Sequence, residues 1–318
     1  MLFNLRKRSL SLILLLVIAP IFMGYFASAA CNFSTDYVPP GSLFVSPVGG
    51  GNEESAQFSR ISYKQLGPSS SPVVIFFLHG WLGESDDLVP LARRVLHLWS
   101  NQGKITSDLR LDLNGFPNNL GLERWATNIA QRIRNRLKDM SDTGKVIIVG
   151  YSMGGKAALY AVGHNISDIR DSIDVIITIN TPYHDLAEFA PALLTKAACQ
   201  AAHFWKRTPD RGACEDLVHH DSTDTVRTIQ DETDIPIYAL ASSEDMPLSL
   251  SCNSPIMSSP VDPYAWYLDD GNVPLKAQSV EGVKTIYYGN FCHWDLLEPS
   301  SPVLRVLARE ILKIASSR

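Results

Sequence analysis

One stretch, KVIIVGYSMGGKAALY at residues 145–160, constrains the fold of this chain more than any other. Its first part places four β-branched residues in a row, which favours a short strand buried on both faces. Its last part is rich in alanine and leucine, which favour a helix. Between them, the pattern G-x-S-x-G lets the chain turn so sharply that the hydroxyl of Ser152 stands clear of the backbone at the strand's carboxyl end. The stretch therefore predicts a strand, a tight turn and a helix.

The rest of the chain alternates between strand-like and helix-like patterns. Predicted strands cover residues 60–66, 72–78, 108–113, 146–149, 174–180, 235–241 and 283–288, and predicted helices cover residues 87–101, 122–140 and 301–315 and the segment after Ser152. Such alternation indicates an α/β fold, with a mostly parallel sheet that helices cover on both faces. Ligands of such sheets bind outside the carboxyl ends of the strands. Residues 183–233 break the alternation, and we interpret them as an inserted helical cap.

The first thirty residues are typical of a secretory signal peptide. They place the basic segment RKR at positions 6–8 before an apolar core at residues 10–18 and the small residues ASAA at positions 27–30. A retained membrane anchor is the alternative, because the apolar run approaches the length that spans a bilayer. Cys31 directly follows the small residues, which also suggests a lipoprotein junction. We therefore expect an exported protein, periplasmic or secreted, with anchoring through this segment as the alternative.

The five cysteines fit an oxidising setting outside the cytoplasm. Their number is odd, so one is left over when the others pair. If Cys31 is acylated or free, proximity in the sequence suggests one disulfide between Cys199 and Cys214 and another between Cys252 and Cys292. The spacings of the cysteines do not indicate a zinc site.

A serine hydroxyl is a poor nucleophile unless a base accepts its proton and a third group orients that base. Eight histidines compete for the role of the base. We favour His293, which follows the last predicted strand at its carboxyl end and comes after Ser152 in the chain. His79 precedes a glycine at another strand end, where it is better placed to support an oxyanion-binding loop. His184 also follows a strand end and is a weaker competitor.

Two aspartates compete for the role of the orienting acid. Asp245 comes shortly after the predicted strand at residues 235–241, where such a carboxylate is expected. Asp270 lies in the segment DDGNVP at residues 269–274, before His293. Position along the chain favours Asp245 and the local sequence favours Asp270, so the residues alone leave this choice open.

The order Ser152, Asp270, His293 on alternating strands and helices resembles the α/β-hydrolase superfamily, and within it the secreted bacterial lipases and esterases. Four segments carry the likeness: HGW at residues 79–81, GYSMGG at 150–155, INTPYH at 179–184 and DGNVP at 270–274. The resemblance implies one α/β-hydrolase domain over residues 31–318 with the cap inserted at 183–233. It also implies that Asp270, ahead of Asp245, is the acid of the triad. The backbone N–H groups of Trp81 and Met153 are implied as the oxyanion hole.

The same resemblance implies a serine ester hydrolase of lipase or esterase type, which cleaves lipid-like carboxylic esters through an acyl-enzyme on Ser152. A phospholipase or a lipid acyltransferase with the same triad is the alternative, because these enzymes differ in the cap and in the access of water. A catalytically inactive module of this fold that binds lipid or a partner protein is a second alternative.

No cofactor and no metal are expected. Some related lipases bind calcium near the aspartate two residues past the catalytic histidine, and Asp295 stands at that position, but no second set of ligands follows it in the sequence. The net charge of −5 argues against nucleic acid as a partner. The expected partners are an ester or lipid substrate and, for an interfacial enzyme, a lipid or membrane surface.

Overall fold

The computed structural model describes residues 44–47, 58–63, 70–81, 83–101, 107–114, 120–138, 144–189, 212–243 and 273–316. The predicted signal peptide and both candidate acids, Asp245 and Asp270, lie outside these residues. Each predicted disulfide includes one cysteine outside them, so the pairing stays a prediction. Residues 190–211 of the range predicted as a cap also lie outside.

The described strands form one eight-stranded sheet. They are β1 (Phe44–Pro47), β2 (Phe58–Tyr63), β3 (Ser70–Leu78), β4 (Ser107–Asn114), β5 (Lys145–Tyr151), β6 (Val175–Ile179), β7 (Ile237–Ser242) and β8 (Lys284–Gly289). Their order across the sheet is β1-β2-β4-β3-β5-β6-β7-β8. The six strands from β4 to β8 run parallel, and β1 and β2 pair antiparallel at one edge. The predicted α/β fold with a mostly parallel sheet is confirmed.

Helices cover both faces of the parallel strands, as the alternation of sequence patterns predicts. They are α1 (Val89–Ser100), α2 (Leu122–Lys138), α3 (Met153–Gly163), α4 (Gly212–His219), α5 (Thr223–Glu232) and α6 (Val303–Ser316). Alternate residues of β3 point to opposite faces: Ile75 and Phe77 pack in the layer of α1 and α6, and Phe76 and Leu78 in the layer of α2 and α3. Among the described residues, no helix combines the length and apolar character that crossing a bilayer requires.

The end of the predicted cap belongs to the main fold. Helix α5 lies inside the range 183–233, yet its side chains Val226 and Ile229 are buried in the layer that α2 and α3 form on the sheet. A β-carbon on Gly163 of α3 would lie 2.5 Å from a methyl carbon of Thr225, so the two helices pack in close contact. Helix α5 is therefore the crossover between β6 and β7, and it covers the sheet rather than the site.

Candidate active site

Ser152 occupies the turn between β5 and α3 with an unusual backbone conformation. Its φ of 52° and ψ of −121° lie in a region that L-residues rarely adopt. Such conformations cost on the order of 1–3 kcal/mol and persist where the surrounding structure imposes them, commonly at functional sites. Serine is a preferred residue for capping a helix, but the side chain of Ser152 makes no capping hydrogen bond to α3. The hydroxyl therefore has no part in holding the helix.

Close backbone contacts impose this conformation. A β-carbon on Gly154 would lie 2.4 Å from the carbonyl oxygen of His79, and one on Gly155 would lie 2.0 Å from Oγ1 of Thr181. Only glycine allows α3 to approach its neighbours this closely. The N–H of Ser152 donates to the carbonyl oxygen of Ile179 at 2.8 Å, and Oγ1 of Thr181 donates to the carbonyl oxygen of Ser152 at 3.0 Å. The end of β6 thus holds the turn on both sides of the serine.

The turn after β3 lies directly against Ser152. A β-carbon on Gly80 would lie 3.0 Å from the β-carbon of Ser152. His79 is buried, and its Nδ1 donates to the carbonyl oxygen of Gly80 at 2.7 Å, so its ring supports the turn as the sequence predicts. In the described part of the chain, no backbone hydrogen bond uses the N–H of Trp81 or of Met153. Neither amide is thus used by a backbone carbonyl there, which is a condition that an oxyanion-hole donor must meet.

His293 is buried and begins a short 3-10 helix, His293–Leu297, that follows β8. The hydroxyl of Tyr151 donates to the carbonyl oxygen of His293 at 2.8 Å, and the two rings lie 4.9 Å apart. Since Tyr151 directly precedes Ser152, the candidate base packs against the candidate nucleophile's own segment. His184, the weaker competitor, is held elsewhere, with its Nε2 at 3.0 Å from the carbonyl oxygen of Ser279.

Asp295 has a structural role in this arrangement. Its carboxylate accepts a hydrogen bond of 2.9 Å from the N–H of Cys292 and caps the helix that begins at His293. The described residues contain no group of three or more histidine, cysteine, aspartate or glutamate side chains that could hold a metal ion. Asp295 therefore helps to set the start of the helix that carries the candidate base.

Two residues near the nucleophile received no role from the sequence. Thr181 holds the carbonyl of Ser152, and its signal in the sequence is its place directly after a buried strand. Lys156 in α3 is fully buried, and its Nζ donates to the carbonyl oxygens of Leu217 and His220 at the end of α4. It thereby attaches α4 to the helix that follows Ser152. A lysine inside an alanine-rich helix gives no sign of burial in the sequence.

Burial lowers the pKa of Lys156 from its usual 10.5 to about 7, against an opposing effect of the carboxylates of Asp185, Asp221 and Asp216. Between these two pH values the unfolded chain binds more protons than the folded one, so this group makes stability rise with pH. We expect the unfolding free energy of the wild type, relative to Lys156→Met, to rise by up to about 1.4 kcal/mol per pH unit above pH 7. Urea unfolding of both proteins at several pH values between 7 and 9 measures this. Parallel pH dependences would contradict it.

The six parallel strands, the strained serine between β5 and α3 and the histidine after β8 define the fold of an α/β hydrolase. The chain belongs to the PGAP1-like alpha/beta domain family, which matches residues 69–231. No curated protein sequence matches the chain.

The solved structures that share this fold include two forms of one lipase. The mature form of the lipase BlEst2 from Bacillus licheniformis superimposes with a TM-score of 0.57 at 18% identity, over 83% of this chain and 99% of that one. The propeptide form of the same lipase superimposes with a TM-score of 0.54 at 19% identity, over 81% of this chain and 54% of that one. At these identities the likeness concerns the fold.

Proposed function

We propose that this protein is a serine ester hydrolase of lipase or esterase type, which cleaves lipid-like carboxylic esters through an acyl-enzyme on Ser152. The observation that carries the proposal is the backbone of Ser152, held at a φ of 52° between β5 and α3 while its side chain caps nothing. This geometry presents a hydroxyl at the carboxyl edge of the sheet, where ligands of such sheets bind.

The residues around Ser152 supply the chemistry that ester cleavage needs. In the proposed reaction His293 accepts the proton of the Ser152 hydroxyl as its oxygen attacks the ester carbonyl carbon. The carbonyl oxygen becomes negative and accepts hydrogen bonds from the N–H groups of Trp81 and Met153. The ester C–O bond then breaks, and the alcohol leaves with the proton from His293. A water molecule that gives a proton to the same imidazole then attacks the acyl carbon. The bond between this carbon and Oγ of Ser152 breaks, the imidazolium returns the proton to Oγ, and the acid is released.

Support for lipid-like esters comes from the fold. The chain shares its fold with BlEst2, which is a lipase. The proposed triad acid is Asp270, with Asp245 as the alternative, and either carboxylate would orient the imidazole of His293.

A substrate panel on the purified mature protein tests the proposal. We expect chromogenic carboxylic esters of increasing acyl length to be hydrolysed, with water as the acyl acceptor even when a competing alcohol is present. Rates measured above and below micelle formation show whether the enzyme prefers an aggregated substrate. Transfer of the acyl group to the alcohol in preference to water would instead indicate an acyltransferase. Cleavage of a phospholipid with no cleavage of simple esters would indicate a phospholipase, and either result would contradict the proposal.

A further inference from the structure

Each candidate acid lies close in the sequence to a described residue near the active site. Ser242 ends β7 and stands three residues before Asp245, and Val273 stands three residues after Asp270. Three residues of chain span at most about 11 Å. The positions of Ser242 and Val273 therefore limit where either carboxylate can lie.

One side chain, Gln278, holds both of these residues. Its Nε2 donates to the carbonyl oxygen of Ser242 and to the carbonyl oxygen of Val273, each at 2.9 Å. Its Oε1 accepts from the N–H of Ser242 at 3.1 Å. The side chain is 1% exposed, so water cannot readily replace these bonds. A displacement of Val273 relative to Ser242 would break at least one of them.

Ser242 is itself fixed by a buried polar cluster at the carboxyl ends of β6, β7 and β8. Its hydroxyl donates to Oδ1 of Asn180 at 3.2 Å, and the hydroxyl of Tyr288 donates to the same oxygen at 2.8 Å. Asn180 is fully buried. Ser242 is therefore a fixed point of the sheet, and the amide of Gln278 sets the position of Val273 from it.

The backbone around Gln278 is anchored as well. Gln278 ends the short 3-10 helix Leu275–Gln278, and the carbonyl oxygen of Ala277 in that helix accepts a hydrogen bond of 2.7 Å from the N–H of Tyr183. Tyr183 follows β6 and is fully buried. The backbone that carries Gln278 is thus fixed independently of the hydrogen bonds that its side chain makes.

We propose that Gln278 is a positioning residue for the catalytic acid, because it fixes Ser242 and Val273, between which both candidate acids lie in the sequence. This inference rests on the proposed serine hydrolase function. Gln278 acts through the acid and touches neither the substrate nor the reacting atoms. Misplacement of a catalytic group by about 1 Å can cost roughly 100-fold in rate.

Two substitutions remove the amide in different ways. Gln278→Met keeps a similar volume and removes all three hydrogen bonds, and Gln278→Glu keeps an acceptor for the N–H of Ser242 and, when ionised, removes both donations. For Gln278→Met we expect kcat to fall between about 10-fold and 100-fold, with KM within about twofold of the wild type because the binding surface is unchanged. Circular dichroism and thermal melting establish whether each variant is folded. If Gln278→Met does not fold, kcat is measured for Gln278→Glu instead.

A double-mutant cycle separates positioning from a general loss of structure. In an Asp270→Asn background, a residue that acts through Asp270 has nothing left to position, so Gln278→Met should lower kcat by less than about twofold. The same cycle with Asp245→Asn tests whether Gln278 acts through Asp245 instead. Thr233→Val is the matched control, because it removes the hydrogen bonds of a threonine hydroxyl to Ile229 and Ile235 ahead of β7 without touching Tyr183, Ser242 or Val273. We expect it to leave kcat unchanged.

Two results would overturn the inference while a Ser152-dependent esterase activity stands. One is an unchanged kcat in a folded Gln278 variant, and the other is the same loss of kcat in the wild-type, Asp270→Asn and Asp245→Asn backgrounds. A wild type without any Ser152-dependent ester hydrolysis would overturn the proposed function, and the inference with it.

Discussion

The substitution Ser152→Ala is expected to abolish ester hydrolysis, with a fall in kcat on the order of 10⁴-fold to 10⁶-fold. Without the hydroxyl no acyl-enzyme forms, and the remaining rate comes from binding and the oxyanion site alone. The fold should persist, because the serine side chain makes no capping hydrogen bond and the backbone contacts of the turn come from Thr181 and Ile179. Hydrolysis of a chromogenic ester, measured beside circular dichroism of the same samples, tests this.

A second serine provides a matched control. Ser222 is buried and precedes α5, and its side chain also makes no capping hydrogen bond. Its hydroxyl has no hydrogen-bond partner in the described part of the chain. We expect Ser222→Ala to hydrolyse esters at the wild-type rate. If Ser152→Ala is folded and still hydrolyses the ester at the wild-type rate, Ser152 has no part in the mechanism.

The second large effect is expected at the triad acid. Replacement of the acid of a serine triad by its amide keeps the shape and lowers kcat by about 10⁴-fold, because the imidazole loses its correct tautomer. We expect this loss for Asp270→Asn and less than about a tenfold loss for Asp245→Asn, which serves as its isosteric control. Measurement of kcat for both variants on one ester decides between them. The reverse order would make Asp245 the acid, and two fully active variants would contradict a carboxylate triad at either position.

The core of the sheet could be predicted closely from the sequence. The strand predicted at residues 174–180 is observed at Val175–Ile179, and the strand predicted at 72–78 is observed at Ser70–Leu78. Strands buried on both faces are continuous apolar runs, so their limits are visible in composition alone. The closing helix predicted at 301–315 is observed at Val303–Ser316 because its apolar residues recur at helical spacing.

Features that depend on neighbours in space could not be predicted in this way. β1 (Phe44–Pro47) is a four-residue edge strand in a segment rich in proline and glycine, and it is held by its pairing with β2. Helix α5 follows a polar stretch that breaks the alternation of strands and helices, so the sequence places it in the predicted cap. In the structure it packs on α3. The sequence indicated that Ser152 follows a strand. It contained no sign that Gln278 holds the backbone of Ser242 and Val273, because such bonds join residues far apart in the chain.

In the proposed mechanism, the hydroxyl of Ser152 attacks the ester beside the amides of Trp81 and Met153, with His293 as its base. The most direct test is a crystal structure of the protein after reaction with a phosphonate ester that mimics the tetrahedral intermediate. We predict phosphorus bonded to Oγ of Ser152, a phosphonyl oxygen about 3 Å from the N–H nitrogens of Trp81 and Met153, and the imidazole of His293 facing Oγ. An unmodified Ser152, or an imidazole of His293 turned away from it in the modified protein, would rule out this mechanism.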